Sequence, residues 1–138
     1  SRVLEEAFRT SDIPYRIVGG VRFYERKEVK DVLAVLRLLH NPADEVSLER
    51  VVGNLPVGRG LGPKALGGVR LWATMKGVPL LDGFAALAPG TGEDGAPELS
   101  GAARSAAARL GTVFVRLREA LPTLALPELF DRIVDDTG

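Results

Sequence analysis

The sequence predicts a mainly α chain: a helical domain built around a glycine-rich turn, preceded by one short helix and one strand left over from an α/β domain. Three observations predict this. After residue 20 nearly every stretch carries apolar residues at helical spacing. Two such stretches are joined by a glycine-dense turn, Gly58 to Gly62. One short β-like run, Tyr15-Arg16-Ile17-Val18, stands before them.

The elements follow in order. Arg2 to Thr10 reads as a helix, with Val3, Leu4, Ala7 and Phe8 on one face, and Asp12-Ile13-Pro14 breaks it. The strand Tyr15–Val18 ends at Gly19-Gly20. Val29, Val32, Leu33, Leu36 and Leu39 form the next helical stripe, which Asn41-Pro42 terminates. His40 falls at that helix's C-terminus, where its charge would suit the helix dipole. Asp44 can cap a helix carrying Leu48, Val51 and Val52. Pro63 suits the first position of another helix, running through Leu66, Val69 and Leu71 to about Met75. Pro79 to Leu87 reads as a short helix, and Ala88 to Pro97, rich in Gly and Pro, as a loop. Ala102 to Leu121 is a long helix with Leu110, Val113, Phe114 and Leu117 inward. A last helix turns Leu129, Phe130, Ile133 and Val134 to one side.

A lone strand leaves an unsatisfied edge. Residues 1–20 therefore read as the edge of a larger α/β domain, and 21–138 as the helical domain proper. The absence of an initial Met fits an excised piece. On this reading, residues up to about Gly20 are disordered, repacked or paired with another copy.

Composition narrows the chemistry. The chain has 138 residues, no cysteine and a single histidine. Disulfides, thiolate metal sites, cysteine nucleophiles and multi-histidine metal centres are excluded. No apolar run reaches the roughly 18–20 residues that cross a bilayer, and the charged start Ser1 to Glu6 does not read as a signal peptide. The expectation is a soluble, cytoplasmic protein. No Ser/His/Asp set or carboxylate pair can be placed, and Asp135-Asp136 reads as solvated.

The net charge is zero but unevenly spread. Thirteen basic and nine acidic residues lie up to Lys76, and five basic and nine acidic after it. From Arg50 to Lys76 there are Arg50, Arg59, Lys64, Arg70 and Lys76, and no acid. Such a field draws phosphate. The alternative is a solvated surface whose balancing acids come from elsewhere in the fold.

Inside that basic stretch sits Asn54-Leu55-Pro56-Val57-Gly58-Arg59-Gly60-Leu61-Gly62-Pro63-Lys64. A Gly-apolar-Gly turn between helices permits positive φ and close backbone approach to a ligand. Its amides, with those opening the next helix, can form an anion-binding concavity. Arg59 and Lys64 would add charge. This is the logic of a helix-hairpin-helix contact to nucleic-acid backbone, which positions without reading sequence. A purely structural turn fits the same residues. A nucleotide-phosphate loop does not, because Lys64 lies between Pro63 and Ala65 and no strand precedes the turn. Phe23 and Arg26, in Arg22-Phe23-Tyr24-Glu25-Arg26-Lys27-Glu28, could stack a base and hold phosphate; Phe23 and Tyr24 could equally anchor the following helix. Trp72 suits a core or interface better than a base stack.

At these residues the chain resembles a known family. Ile13-Pro14-Tyr15-Arg16-Ile17-Val18-Gly19-Gly20 and Arg22-Phe23-Tyr24-Glu25-Arg26-Lys27-Glu28-Val29-Lys30-Asp31 are similar to a motif of UvrD/PcrA/Rep-type superfamily 1 DNA helicases. Leu36-Arg37-Leu38-Leu39, Asn41-Pro42 and Arg50-Val51-Val52 continue it in order. Pro56 to Gly62 resembles that family's Pro-x-Arg-Gly-Ile-Gly turn, with an extra Gly58 and Leu61 in place of Ile. The match is clear over about Arg2 to Val69; beyond it, only the helical character and the closing Glu-Leu-Phe-Asp-Arg-Ile-Val agree.

The resemblance implies that residues 1–20 are the edge of the second RecA-like domain and 21–138 the accessory (2B) subdomain. It implies a parent that uses ATP and Mg to move 3′ to 5′ along DNA, in the cytoplasm with the nucleoid. The nucleotide loop, Mg-binding acids and arginine finger of the family have no counterpart here, so the fragment itself would hold no cofactor. Its partners would be duplex DNA near a fork and the remaining helicase domains. Duplex contact carries over to Arg59, Gly60, Leu61, Gly62 and Lys64, and also to Phe23 and Arg26. The competing expectation is a protein-interaction or regulatory module of a related helicase or helicase–nuclease.

Overall fold

The computed structural model describes residues 15–18, 21–89 and 96–138, with backbone alone for 15–18 and 21–23. The first elements form a β-hairpin. Strand β1 (Tyr15–Val18) pairs antiparallel with β2 (Val21–Tyr24), Tyr15 opposite Tyr24 and Val18 opposite Val21. Two corrections follow. The strand is not alone, and Val21–Tyr24 is extended rather than the lead-in to a helix. β1 also finds an edge partner within its own chain, across the expected boundary at residue 20. The run Val21-Arg22-Phe23-Tyr24 is β-branched and aromatic, which favours a strand once a partner lies opposite. The helix expected at Arg2 to Thr10 lies outside the described residues.

The rest is helical: α1 (Arg26–His40), α2 (Glu45–Asn54), α3 (Pro63–Lys76), α4 (Leu80–Ala85), α5 (Gly101–Ala120) and α6 (Leu126–Thr137). Short 3-10 turns at Pro56–Gly58 and Leu121–Thr123 precede α3 and α6. Helix α1 packs on α2; α4 is held between α3 and α5; α6 returns to α1 and α5. The core is one cluster drawn from all six helices, with Val35, Leu38, Val51, Val69, Leu81, Phe84, Leu110, Phe114, Leu117 and Ile133 inaccessible to solvent. Tyr24 ties the hairpin to the far end of the chain: its hydroxyl donates to Asp131 at 2.5 Å and its ring lies 4.6 Å from that of Phe130.

The helix starts follow local chemistry. Asp44 caps α2, accepting from the Ser47 amide at 3.1 Å and the Ser47 hydroxyl at 2.8 Å. Those two bonds, backbone first, hold its carboxyl below the ordinary value of 3.8. Pro63 opens α3 where its missing N–H costs nothing. Asn41 caps the end of α1 after His40.

Two inward assignments are corrected. Leu33 on α1 is exposed, and the buried face is carried by Asp31, Val32, Val35, Leu38 and Leu39. Leu71 on α3 is 62% exposed, and Ala65, Val69 and Ala73 face the core instead. Both leucines fall on the side of their helix facing away from the core: Leu71 is two residues, or about 200° around the axis, from both Val69 and Ala73. Which row wins depends on where the packing partners stand, and the leucines do not set that.

Candidate nucleic-acid interface

The glycine turn joins α2 to α3 through the 3-10 turn Pro56–Gly58. Gly60 sits at φ +94°, the only positive φ in the segment. A side chain there would be strained and would press on Ala106 of α5 at 3.2 Å. Gly62 is extended, caps the start of α3 and faces open space. Gly58, the extra residue of the turn, rides on the α2 backbone: a Cβ would fall 2.6 Å from the Val52 carbonyl oxygen.

The turn spends part of its hydrogen-bonding capacity on itself. Gly58 N–H donates to Leu55, Arg59 N–H to Pro56 and Leu61 N–H to Gly58. Among the described residues, the amides of Gly60, Gly62, Lys64 and Ala65 have no acceptor. The expected concavity thus has its donors, though fewer than the turn's length suggests. Leu61 is half-buried and packs against the core, so it anchors the turn.

The acid-free basic stretch divides in two. Arg50 Nε reaches Asp31 of α1 at 3.0 Å, and Arg70 Nε reaches Glu45 of α2 at 2.9 Å. For these two, balancing acids do come from elsewhere in the fold. Arg59 and Lys64 are exposed and, among the described residues, neither side chain has an ion-pair or hydrogen-bond partner. Lys76, exposed at the far end of α3, also lacks an ion pair among the described residues, so two of the three unpaired cations stand at the turn.

Helix α5, from the acidic half of the chain, completes the surroundings. Arg109 Nη2 donates to the Arg59 carbonyl oxygen at 2.8 Å and holds the turn from behind. A groove of about 700 Å³ opens between the turn and the start of α5. Gly60, Gly62, Lys64 and Gly68 line one side, and Ser100 and Arg104 the other, with Glu98 beside them. Sequence reasoning passed over Ser100, Arg104 and Arg109. Their only signal was the run of arginines on one helix, and nothing in the spacing says that this helix reaches the turn.

Arg26 is exposed at the first position of α1 and does not line the groove, while of Phe23 only the backbone, in β2, is described. Tyr24 anchors, as one reading held, but onto α6 rather than the helix that follows it. Trp72 is half-buried, its ring close to Gly83 of α4, and His40 ends α1 exposed to solvent.

Comparison with known proteins gives this hairpin-and-helix unit a family. The pattern of the UvrD-like helicase C-terminal domain matches residues 1–81. The chain belongs to that family. It is 43% identical over its whole length to ATP-dependent DNA helicase UvrD1 of Mycobacterium tuberculosis strain H37Rv, covering 17% of that protein. It is 45% identical over 85 residues to ATP-dependent DNA helicase PcrA of Staphylococcus epidermidis, covering 62% of this chain and 11% of that protein. PcrA of Staphylococcus aureus is 45% identical over 82 residues, or 59% of this chain and 11% of the relative. The chain thus spans about a sixth of the UvrD1 helicase it matches along its whole length, and less of the PcrA proteins. Among the described residues, no helix is long and apolar enough to cross a membrane.

Proposed function

We propose that this chain is the accessory (2B) subdomain of an ATP-dependent 3′ to 5′ DNA helicase, with residues 1–20 forming the edge of the second RecA-like domain. Its role is to hold the backbone of duplex DNA near the fork and so to regulate unwinding. The observation that carries the reading is the turn: a positive-φ glycine and, among the described residues, four amides without acceptors and two exposed cations, Arg59 and Lys64, without acids. Amides and cations of this kind bind phosphate oxygens and not base edges, so the contact would be independent of sequence. The helix-hairpin-helix character of the turn is part of the proposal.

We place the ATP and Mg sites in the remainder of the parent, as the family resemblance implies. Lys64 is followed by Ala65 rather than a hydroxyl residue. Hydrolysis would belong to the remainder of the parent.

The test is an NMR titration of the chain with a short forked duplex at low salt. Amide shifts centred on Gly60 to Lys64, weakened by salt and lost in Arg59→Ala/Lys64→Ala, are expected. A second reading, a protein-interaction module, has one observation in its favour. Leu71, Met75 and Val78 make an exposed apolar stripe along and beyond α3. Absence of shifts at the turn up to millimolar DNA would put that reading first.

A further inference from the structure

The groove beside the turn has two walls, and only one belongs to the glycine segment. Lys64 stands on the first. Arg104, on the exposed side of α5, stands on the second, forty residues later in the chain. Small residues line the space near them: Gly60, Gly62, Ala65, Gly68 and Ala103. Leu99, packed over Gly68, is the one large apolar side chain among the described residues of the lining, and the floor beside Lys64 is otherwise open to a sugar-phosphate backbone. Among the described residues, the Arg104 guanidinium has no ion-pair or hydrogen-bond partner. Of the other arginines of α5, two are committed and Arg116 is exposed about three turns away from the groove. Arg109 holds the Arg59 carbonyl, and Arg118 pairs with Asp82 at 3.0 Å.

We propose that Arg104 is a second phosphate-binding residue, so that one strand of a duplex lies in the groove with its backbone between Lys64 and Arg104. The inference rests on the reading that the turn contacts DNA backbone, and it adds a residue and a path for the strand. The acidic half of the chain supplies this cation because α5 runs past the turn: Ala106 faces Gly60, and Arg109 reaches Arg59. Glu98 is the opposing feature. It lines the same groove, is exposed, and would repel a phosphate there. The groove thus makes two predictions of opposite sign at neighbouring positions.

The experiment is a set of fluorescence-anisotropy titrations of the full chain with a labelled short duplex over a range of salt. Each phosphate contact contributes close to one unit to the slope of log K against log salt. Arg104→Gln is expected to bind several-fold more weakly, equally for unrelated sequences, with the slope reduced by about one. Arg104→Lys should keep the slope. Glu98→Gln should bind more tightly. Arg116→Gln is the control, an exposed arginine on the same helix about 18 Å further along its axis; it should change nothing. If Arg104→Gln matches Arg116→Gln while Arg59→Ala/Lys64→Ala abolishes binding, Arg104 is not in the path and only the turn is. Equal small losses in both Gln variants would reduce the effect to general attraction, which also overturns the proposal. If the unaltered chain binds no duplex, both the path and the turn reading fall.

Discussion

Gly111 offers the sharpest test of how the helices meet. It lies inside α5, where replacing Gly with Ala ordinarily stabilises an exposed helix by about 0.8–1 kcal/mol. Sequence reasoning would therefore expect Gly111→Ala to help. The structure reverses the sign. Gly111 is buried against the last residues of α4, and a Cβ there would fall 2.6 Å from the Phe84 carbonyl carbon, closer still to its oxygen, and 3.2 Å from the Ala85 nitrogen. The obstacle is backbone, so no rotamer change relieves it. The two helices would have to separate by roughly 1 Å to restore ordinary contact distances. Phe84, Leu110 and Phe114, all fully buried, would loosen together. Overpacking costs about 1–3 kcal/mol, and a backbone clash belongs at the upper end. Set against the propensity gain, the net loss is about 1–2 kcal/mol. For a chain of this length that lowers Tm by about 4–8 °C. Thermal unfolding followed by far-UV circular dichroism reads it directly. Gly67→Ala in α3 is the matched control: a Cβ there meets nothing within 4 Å, so the same change should raise Tm by about 2–4 °C. A rise in Tm for Gly111→Ala would mean that α4 does not cross α5 at this residue.

Two further predictions concern charge. Arg50→Ala leaves Asp31, whose side chain is only 7% exposed, without its 3.0 Å partner, and should cost about 1.5–3 kcal/mol in urea unfolding. Arg70→Ala breaks a pair exposed on both sides and should cost less than about 1 kcal/mol; equal losses would show that the Asp31 pair is merely a surface one. Asp44→Ala should lower Tm at neutral pH. Because folding depresses this carboxyl below 3.8, its stabilisation is present above that value and fades as pH falls through the folded pKa. The Tm gap to the unaltered chain should narrow only in that acid range, and a gap constant across it would exclude the cap as the cause.

Much of the molecule was legible before any coordinates, because its signals are local. Helical periodicity, Asn41-Pro42, the Asp44 cap and Pro63 placed the end of α1, the start of α2 and both ends of α3 within a residue or two. The turn was legible too: three glycines around Arg59 demand an unusual backbone, and Gly60 adopts it. Facts about pairing between distant segments were not legible. A single β-like run cannot reveal that Val21–Tyr24 will fold back on it, since strand formation is settled by the partner and not by the strand alone.

The inward rows of α1 and α3 were misread at Leu33 and Leu71 for the same reason. A stripe shows that a helix is amphipathic, but only its neighbours choose which row is covered. Charge shows the division most plainly. The sequence alone determined that Arg50, Arg59, Lys64, Arg70 and Lys76 share a stretch without acids. Only the tertiary structure decided which of them keep their charge unpaired. Asp31 and Glu45, nineteen and twenty-five residues away, reach Arg50 and Arg70, while α5 brings Arg104 and Arg109 to the turn. Coulomb interaction depends on distance in space, and the chain order of these residues does not contain that distance.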